Sequence, residues 1–258
     1  MNQVSTQELA RWLDATLQPA RFKDYCPNGL QVEGKDSIRH IITGVTASLA
    51  LLEAAIEQGA DAILVHHGWF WKSEDPCIRG PKRRRLALAL EHGLNIFAYH
   101  LPLDAHPTLG NNAQLGRVLG LEPDRDSQGL PQTCGPDGLV WLGRGNTPLT
   151  LGELGERVFN CLHRTPLIVG NPQQTVRRIA WCTGGAQGFM QSAIDAGADV
   201  YITGEASEPT YHLALESGCG FIGAGHHATE RFGVQAVGEA IRKEFGIQVS
   251  FLDLDNPV

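Results

Sequence analysis

Two histidine strings dominate the chemistry this chain could do. His66-His67-Gly68 closes one apolar run, and Gly225-His226-His227-Ala228-Thr229-Glu230 closes another. A third polar string, His100-Leu101-Pro102-Leu103-Asp104-Ala105-His106, also follows an apolar run. Imidazole and carboxylate at strand ends are the donors of a transition-metal site. A fold that gathers the three strings would offer ligands for two metals. Adjacent histidines at a strand end can diverge to two ions, with Gly68 permitting the turn. A lone His-His pair is more often two satisfied histidines, but here a second pair stands in an analogous place, which reverses that preference. His226 and Glu230 are four residues apart, so on a helix beginning near His227 they share a face at its positive end. Asp104 could bridge two cations through its two oxygens; the plainer reading is a turn residue between Pro102 and Pro107. His100 and His106 are candidates to bind substrate, carry a proton or orient a ligand.

The elements that must position these residues look duplicated. Residues 39–67 align without gaps on residues 177–205 at a constant offset of 138. The identities are Arg39/Arg177, Ile41/Ile179, Ala55/Ala193, Ile56/Ile194, Gly59/Gly197, Ala60/Ala198 and Asp61/Asp199. Each copy reads strand, turn, helix, Gly-Ala-Asp, strand, with the glycine as a helix stop. Such βαβ units imply parallel strands with right-handed crossovers, and ligands gather at the carboxyl ends of those strands. The expected class is α/β: two similar α/β domains from an apparent internal duplication, with a metal site in the cleft between them. Residues 1–124 read as the first domain and 136–258 as the second, the C-terminal segment being free to pack back on the first. Glu122 to Gly138, rich in Pro, Gly and Asp, reads as the linker. Leu139 to Gly143 reads as a strand and Leu151 to His163 as a helix.

Other strings admit two uses. Gly68-Trp69-Phe70-Trp71-Lys72 could be a wall with Trp71 stacked on a planar substrate and Lys72 on its phosphate, or an aromatic cluster of the core. Lys82-Arg83-Arg84-Arg85 opens a helix and reads most simply as its solvated face. Thr183-Gly184-Gly185-Ala186 could hold a phosphate on backbone amides. A net charge of −7 disfavours nucleic acid as partner. No run of about 18 apolar residues exists for a membrane span. The polar N-terminus lacks a leader's apolar region, and six cysteines without a CxxC pair read as reduced thiols of a cytoplasm.

Taken together, these strings resemble the dinuclear-metal-centre protein family of the YbgI type, also called Nif-three-like and labelled as homologues of type-two GTP cyclohydrolase. The resemblance spans nearly the whole chain. It rests on Pro27 to Gly34, Gly44 to Ser48, Val65 to Lys72, His100 to His106, Gly110 to Ala113, Thr203 to Glu205 and Gly225 to Arg231. It implies a two-domain α/β subunit, a homo-oligomer in the form of a hexameric ring, and two divalent metals per subunit, Fe, Zn or Mn. Its ligand positions fall on His66, His67, Asp104, His226 and Glu230, leaving His227 outside the set. The expected function is metal-dependent hydrolysis of a nucleotide, phosphoester or purine-like ring, with His100 or His106 as proton carrier and Trp71 and Lys72 on the small-molecule substrate. The alternative is a non-catalytic ring that handles metal or serves as a scaffold.

Overall fold

The computed structural model describes residues 2–258 and is a mixed α/β structure. It divides into two compact units. The first runs to Leu103 and takes in Gly233–Asp255; the second is Asp104–Phe232 with Asn256–Val258.

The first unit is built on a five-stranded sheet ordered Gln248–Phe251, His40–Thr46, Ala62–His67, Asn95–Ala98, Gly29–Val32. The first four strands are parallel, and Gly29–Val32 closes the edge antiparallel to Asn95–Ala98. Parallel strands covered on both faces need apolar residues at successive positions. Ile41-Ile42 and Ile63-Leu64-Val65 are accordingly all buried. Ser48 starts the crossover helix Leu49–Glu57 by accepting from Leu51 N at 3.2 Å, and Leu51, Leu52 and Ala55 turn into the core. The register sets Thr46 against His67, which places the histidine pair at the carboxyl edge of the sheet.

The second unit centres on a parallel core of Ile179–Trp181, Val200–Thr203 and Gly220–Gly223. Leu167–Val169 flanks it antiparallel on one side and Val140–Gly145 on the other, and Leu121–Pro123 and Thr133–Cys134 pair with Val140–Gly145. Glu122 to Gly138 is therefore not a free linker; its ends are stitched into this sheet. Leu115 and Leu119, from and just after the helix Asn111–Val118, join the same core as Trp141 and Trp181. The chain's division accordingly falls at Leu103, ahead of the segment whose composition reads as a linker.

The shared Gly-Ala-Asp string has one structural task in each unit. Asp61 Oδ2 accepts from the amides of Arg39 (2.9 Å) and His40 (3.3 Å) at the start of strand His40–Thr46. Asp199 Oδ2 accepts from the amides of Arg177 and Arg178, both at 2.8 Å, ahead of strand Ile179–Trp181. Among the described residues, no helix is long and apolar enough to cross a membrane.

Candidate metal centre

In the first unit, His66 and His67 are the last two residues of strand Ala62–His67 rather than the start of a loop. Gly68 is required for a different reason from a turn: a Cβ there would collide with Gln31 Oε1 and Ala98 Cβ. His66 is fully buried and His67 half-buried. His100, after strand Asn95–Ala98, brings its ring centroid to 5.1 Å from His66 and 5.8 Å from His67, which are 4.5 Å apart. Each of the three offers a ligand atom within 4.8 Å of the others. Each ring is also held from behind. Nδ1 of His66 lies 3.0 Å from Tyr99 O, Nδ1 of His67 lies 3.3 Å from Thr46 Oγ1, and Nδ1 of His100 lies 2.7 Å from Asp24 Oδ1.

Asp24 is the hub of this side. Its buried carboxylate also accepts from Tyr25 N (2.6 Å), Leu101 N (2.9 Å) and Asn28 Nδ2 (2.9 Å), while Asn28 Oδ1 takes His100 N at 2.7 Å. Burial alone would raise the Asp24 pKa, but the His100 and Asn28 hydrogen bonds, the charge of His100 and the Leu101 amide hold it down at about 2. The neighbouring Cys26 thiol is pushed up to about 12, by burial first and by Asp24 second, so it is no thiolate donor. Sequence reasoning missed Asp24; Asn28 lies in a quoted motif, but nothing in the spacing ties either residue to His100.

The aromatic string divides its duties. Trp69 is core, with Nε1 on Ala47 O at 2.9 Å. Phe70 sits at φ +66, in the left-handed region a bulky residue rarely enters, beneath the Lys82 ammonium at 5.5 Å. That reversal turns Trp71 edge-on to His100, with centroids 5.0 Å apart and planes at 83°. Lys72 Nζ donates to the main-chain carbonyl of Asp24, so its ammonium is engaged in the fold. Lys82 also pairs with Glu74 at 3.4 Å, while Arg83 and Arg84 face solvent.

In the second unit, the helix His226–Phe245 starts one residue earlier than its sequence signal and puts His226 and Glu230 on one face, Nε2 to Oε2 3.3 Å. Nδ1 of His226 contacts Glu205 Oε1 at 2.6 Å, and Gln187 Nε2 donates to the other Glu205 oxygen at 3.2 Å. Burial would lower the His226 pKa, but Glu230 and then Glu205 raise it to about 9. Buried Asp104 accepts from Asn111 Nδ2 (2.9 Å) and Thr183 Oγ1 (3.2 Å), and its carboxylate comes within 4.8 Å of that of Glu230. His106 instead serves its own turn: Nδ1 accepts from Thr108 N (3.2 Å) and Leu109 N (2.9 Å).

The Thr183-Gly184-Gly185 turn is a cradle for these side chains, not an open phosphate nest. Thr183 N donates to Asn112 Oδ1 at 2.9 Å and Gly184 N to Thr229 Oγ1 at 3.0 Å. Gly184, at φ +70, presses so close to Glu230 Oε1 and His226 Nε2 that a Cβ would enter the space of the carboxylate. The donors in each unit suit a divalent ion. The first offers imidazoles anchored through Nδ1; the second offers paired carboxylates with one imidazole.

Comparison with known proteins places these residues in context. The profile of Duf34/NIF3 (NGG1p interacting factor 3) matches residues 4–257. A Neisseria meningitidis serogroup B protein named GTP cyclohydrolase 1 type 2 homolog is 51% identical over 254 residues, covering 98% of this chain and 99% of the relative. One of the same name from Pseudomonas aeruginosa is 52% identical over 251 residues, covering 97% and 96%. Among solved structures, one titled "Structural genomics, protein ybgI, unknown function" superposes with a TM-score of 0.92 at 46% identity, covering 99% of this chain and all of the other.

Proposed function

The chain belongs to the Duf34/NIF3 family, and from that premise we propose that it is a dinuclear metal-dependent hydrolase acting on a nucleotide, phosphoester or purine-like ring. In this reading His66, His67, Asp104, His226 and Glu230 would hold two divalent ions, Fe, Zn or Mn. The observation that carries it is the pairing of two buried carboxylates, Asp104 and Glu230, within 4.8 Å of one another beside His226. Like charges at that distance inside a protein call for a cation. When bound, the two ions would supply Lewis acidity and lower the pKa of a coordinated water.

The chain's own residues would do the rest. Asn111 and Thr183 hold Asp104 by one oxygen, Oδ1, keeping the carboxylate oriented. Glu205 fixes the ring of His226, and Gly184 leaves Glu230 its room. Trp71 gives a planar substrate an apolar face beside His100. The proton-carrier role fits His106 least, because its Nδ1 already serves two amides of its turn. The relatives' name makes ring hydrolysis of a purine nucleotide the narrower form of this activity. The test is metal analysis of the purified protein together with a hydrolysis screen of nucleotides and phosphoesters, with Glu230→Ala as control. About two ions per chain and turnover lost in the variant are expected; turnover that survives Glu230→Ala refutes the reading.

A homo-oligomer, with a hexameric ring as its form, belongs to the same proposal. Exposed Leu167, Ile168, Tyr211 and Leu215 on the second unit support it, since such side chains favour burial against another copy. Light scattering on the purified protein measures it directly.

A further inference from the structure

We propose that the second unit carries a binding site for a small phosphomonoester, separate from the candidate metal centre, in which Arg117 and Arg125 hold the phosphate. The inference goes beyond the function proposed above and needs neither metal nor hydrolysis. The site is a cavity of about 370 Å3 whose lining residues all belong to the second unit and include none of the candidate metal ligands. Small-molecule sites fall between about 300 and 1,000 Å3, so this volume suits a molecule no larger than a mononucleotide.

The helix Asn111–Val118 brings Arg117 to the cavity, and the strand Leu121–Pro123 with the turn after it brings Arg125. Arg125 belongs to the Pro- and Gly-rich stretch whose composition reads as a linker. The fold gives that stretch a different task. Glu122 pairs with Arg144 in the sheet, Arg125 bridges to Pro131, and Gln132 N donates to Asp124 O at 2.7 Å, so the segment doubles back on itself. Nη1 of Arg125 donates to Gly129 O at 2.7 Å in the same turn. That bond anchors the guanidinium and leaves its other N–H groups for a ligand.

The charges decide what kind of ligand fits. Among the described residues, neither Arg117 nor Arg125 pairs with a carboxylate, and Glu122, which also lines the cavity, pairs with neither. The lining thus sets two guanidiniums against one carboxylate, in a chain whose net charge is −7. Arg117 stands in the last turn of its helix, where the dipole favours a cation, and that would account for one positive charge. It does not account for a second guanidinium in the same cavity. Two planar forks of N–H donors match the oxygens of a phosphate. The rest of the lining suits a compact, partly apolar body. Pro107, Leu121 and Pro123 are apolar, and the nearly fully buried Trp141 and Trp181 give a rigid base, with Trp181 Nε1 fixed on Asn112 O at 2.9 Å. Gly116 lets the helix lie on that base, since a Cβ there would stand 3.0 Å from Trp181 Cζ2. The side-chain amide of Asn146, without a partner among the described residues, adds a donor and an acceptor for the polar edge of a ring.

The test is calorimetric titration of the purified full-length protein with adenosine monophosphate, adenosine and inorganic phosphate. Adenosine monophosphate should bind saturably and at least about tenfold more tightly than adenosine, the increment of one charge-assisted contact. Arg117→Gln and Arg125→Gln should each reduce that preference, and the double variant should erase it. Arg84→Gln removes an exposed arginine of the first unit; it is the control for net charge and should match the wild type. Glu230→Gln should bind the nucleotide as the wild type does, because Glu230 is no part of the cavity. The proposal is overturned if no saturable binding occurs, or if the double variant keeps the wild-type preference. Binding that is lost in folded Glu230→Gln also overturns it, since the nucleotide would then sit on the metal centre. So does inorganic phosphate that binds as tightly as the nucleotide, because the apolar lining would then contribute nothing. Absence of hydrolysis would refute the proposed activity and leave these titrations unaffected.

Discussion

Asp61→Asn should destabilise the first unit by about 2–3 kcal/mol at neutral pH. The Asp61 side chain is 4% exposed, and one of its oxygens binds two backbone amides. Hydrogen bonds to a charged group contribute about 1.5–3 kcal/mol each. Asparagine keeps one neutral acceptor and turns an NH2 toward what was an acceptor's position. Lys35, whose side chain is 45% exposed, adds little by its 2.8 Å pair because solvent screens it. The pH dependence follows from the direction of the Asp61 shift. Burial would raise its pKa, but Lys35 and the Arg39 and His40 amides lower it below 3.8. A depressed folded-state pKa gives stability that is fully present above the unfolded value and lost as pH falls through the folded one. The difference between wild type and variant should therefore be constant from neutrality to about pH 5 and shrink below the 3.8 of an ordinary aspartate. Urea unfolding of the metal-free protein, followed by circular dichroism across that range, measures it. A cost under about 0.5 kcal/mol, the size of an ordinary surface change, or a difference that does not shrink in acid, refutes the reasoning. Asp199→Asn should show a comparable neutral-pH cost in the second unit, since Asp199 meets two amides at 2.8 Å.

Gly184→Ala should weaken metal binding more than it weakens the fold, because the new Cβ enters the space of Glu230 Oε1 at a left-handed backbone position; calorimetric metal titration checks it against a melting curve. Metal binding should release a proton at neutral pH, since His226 must lose the proton it otherwise holds up to about 9. Affinity should rise by about tenfold per pH unit below that value for one displaced proton, and calorimetry in buffers of different ionisation enthalpy measures the release. Asp24→Asn should flatten the acid dependence of stability, because the wild-type carboxylate stabilises the fold above 3.8 and loses that effect as pH falls towards about 2; acid titrations of the two proteins compare it.

The frame was legible where the chain obeys one period at a time. Ile41-Ile42 and Ile63-Leu64-Val65 are continuous apolar runs, as strands buried on both faces must be, and each is ended by glycine or a polar string. The helix expected over Leu151 to His163 is Leu151–Leu162, with His163 in the left-handed position that stops it. What could not be read was the antiparallel trim. Gly29–Val32, Leu121–Pro123 and Leu167–Val169 are three or four residues long, and their register is set by neighbours distant in sequence. The Pro- and Gly-rich stretch misled for the same reason. Its composition signals turns, but two antiparallel pairings with Val140–Gly145 anchor it to the second sheet.

The candidate ligands were legible because metal chemistry demands particular residue types, and those types stand at strand ends and at a helix start. Their supports were not, and the reason is physical. An orienting partner needs only an oxygen at hydrogen-bond distance, which nearly any residue can supply. His66 uses a backbone carbonyl, His67 a threonine and His100 an aspartate 76 positions away. No spacing rule links them. Glu205 shows the boundary between the two cases. It aligns with His67 at the constant offset of 138 residues, so its position was legible. Its task, gripping Nδ1 of His226 at 2.6 Å, emerged only once Thr203 and Gly223 were paired in the sheet and both strand ends faced the same way. Position at a strand end can thus be inferred from local pattern, while the division between holding an ion and holding the holder is decided by tertiary packing.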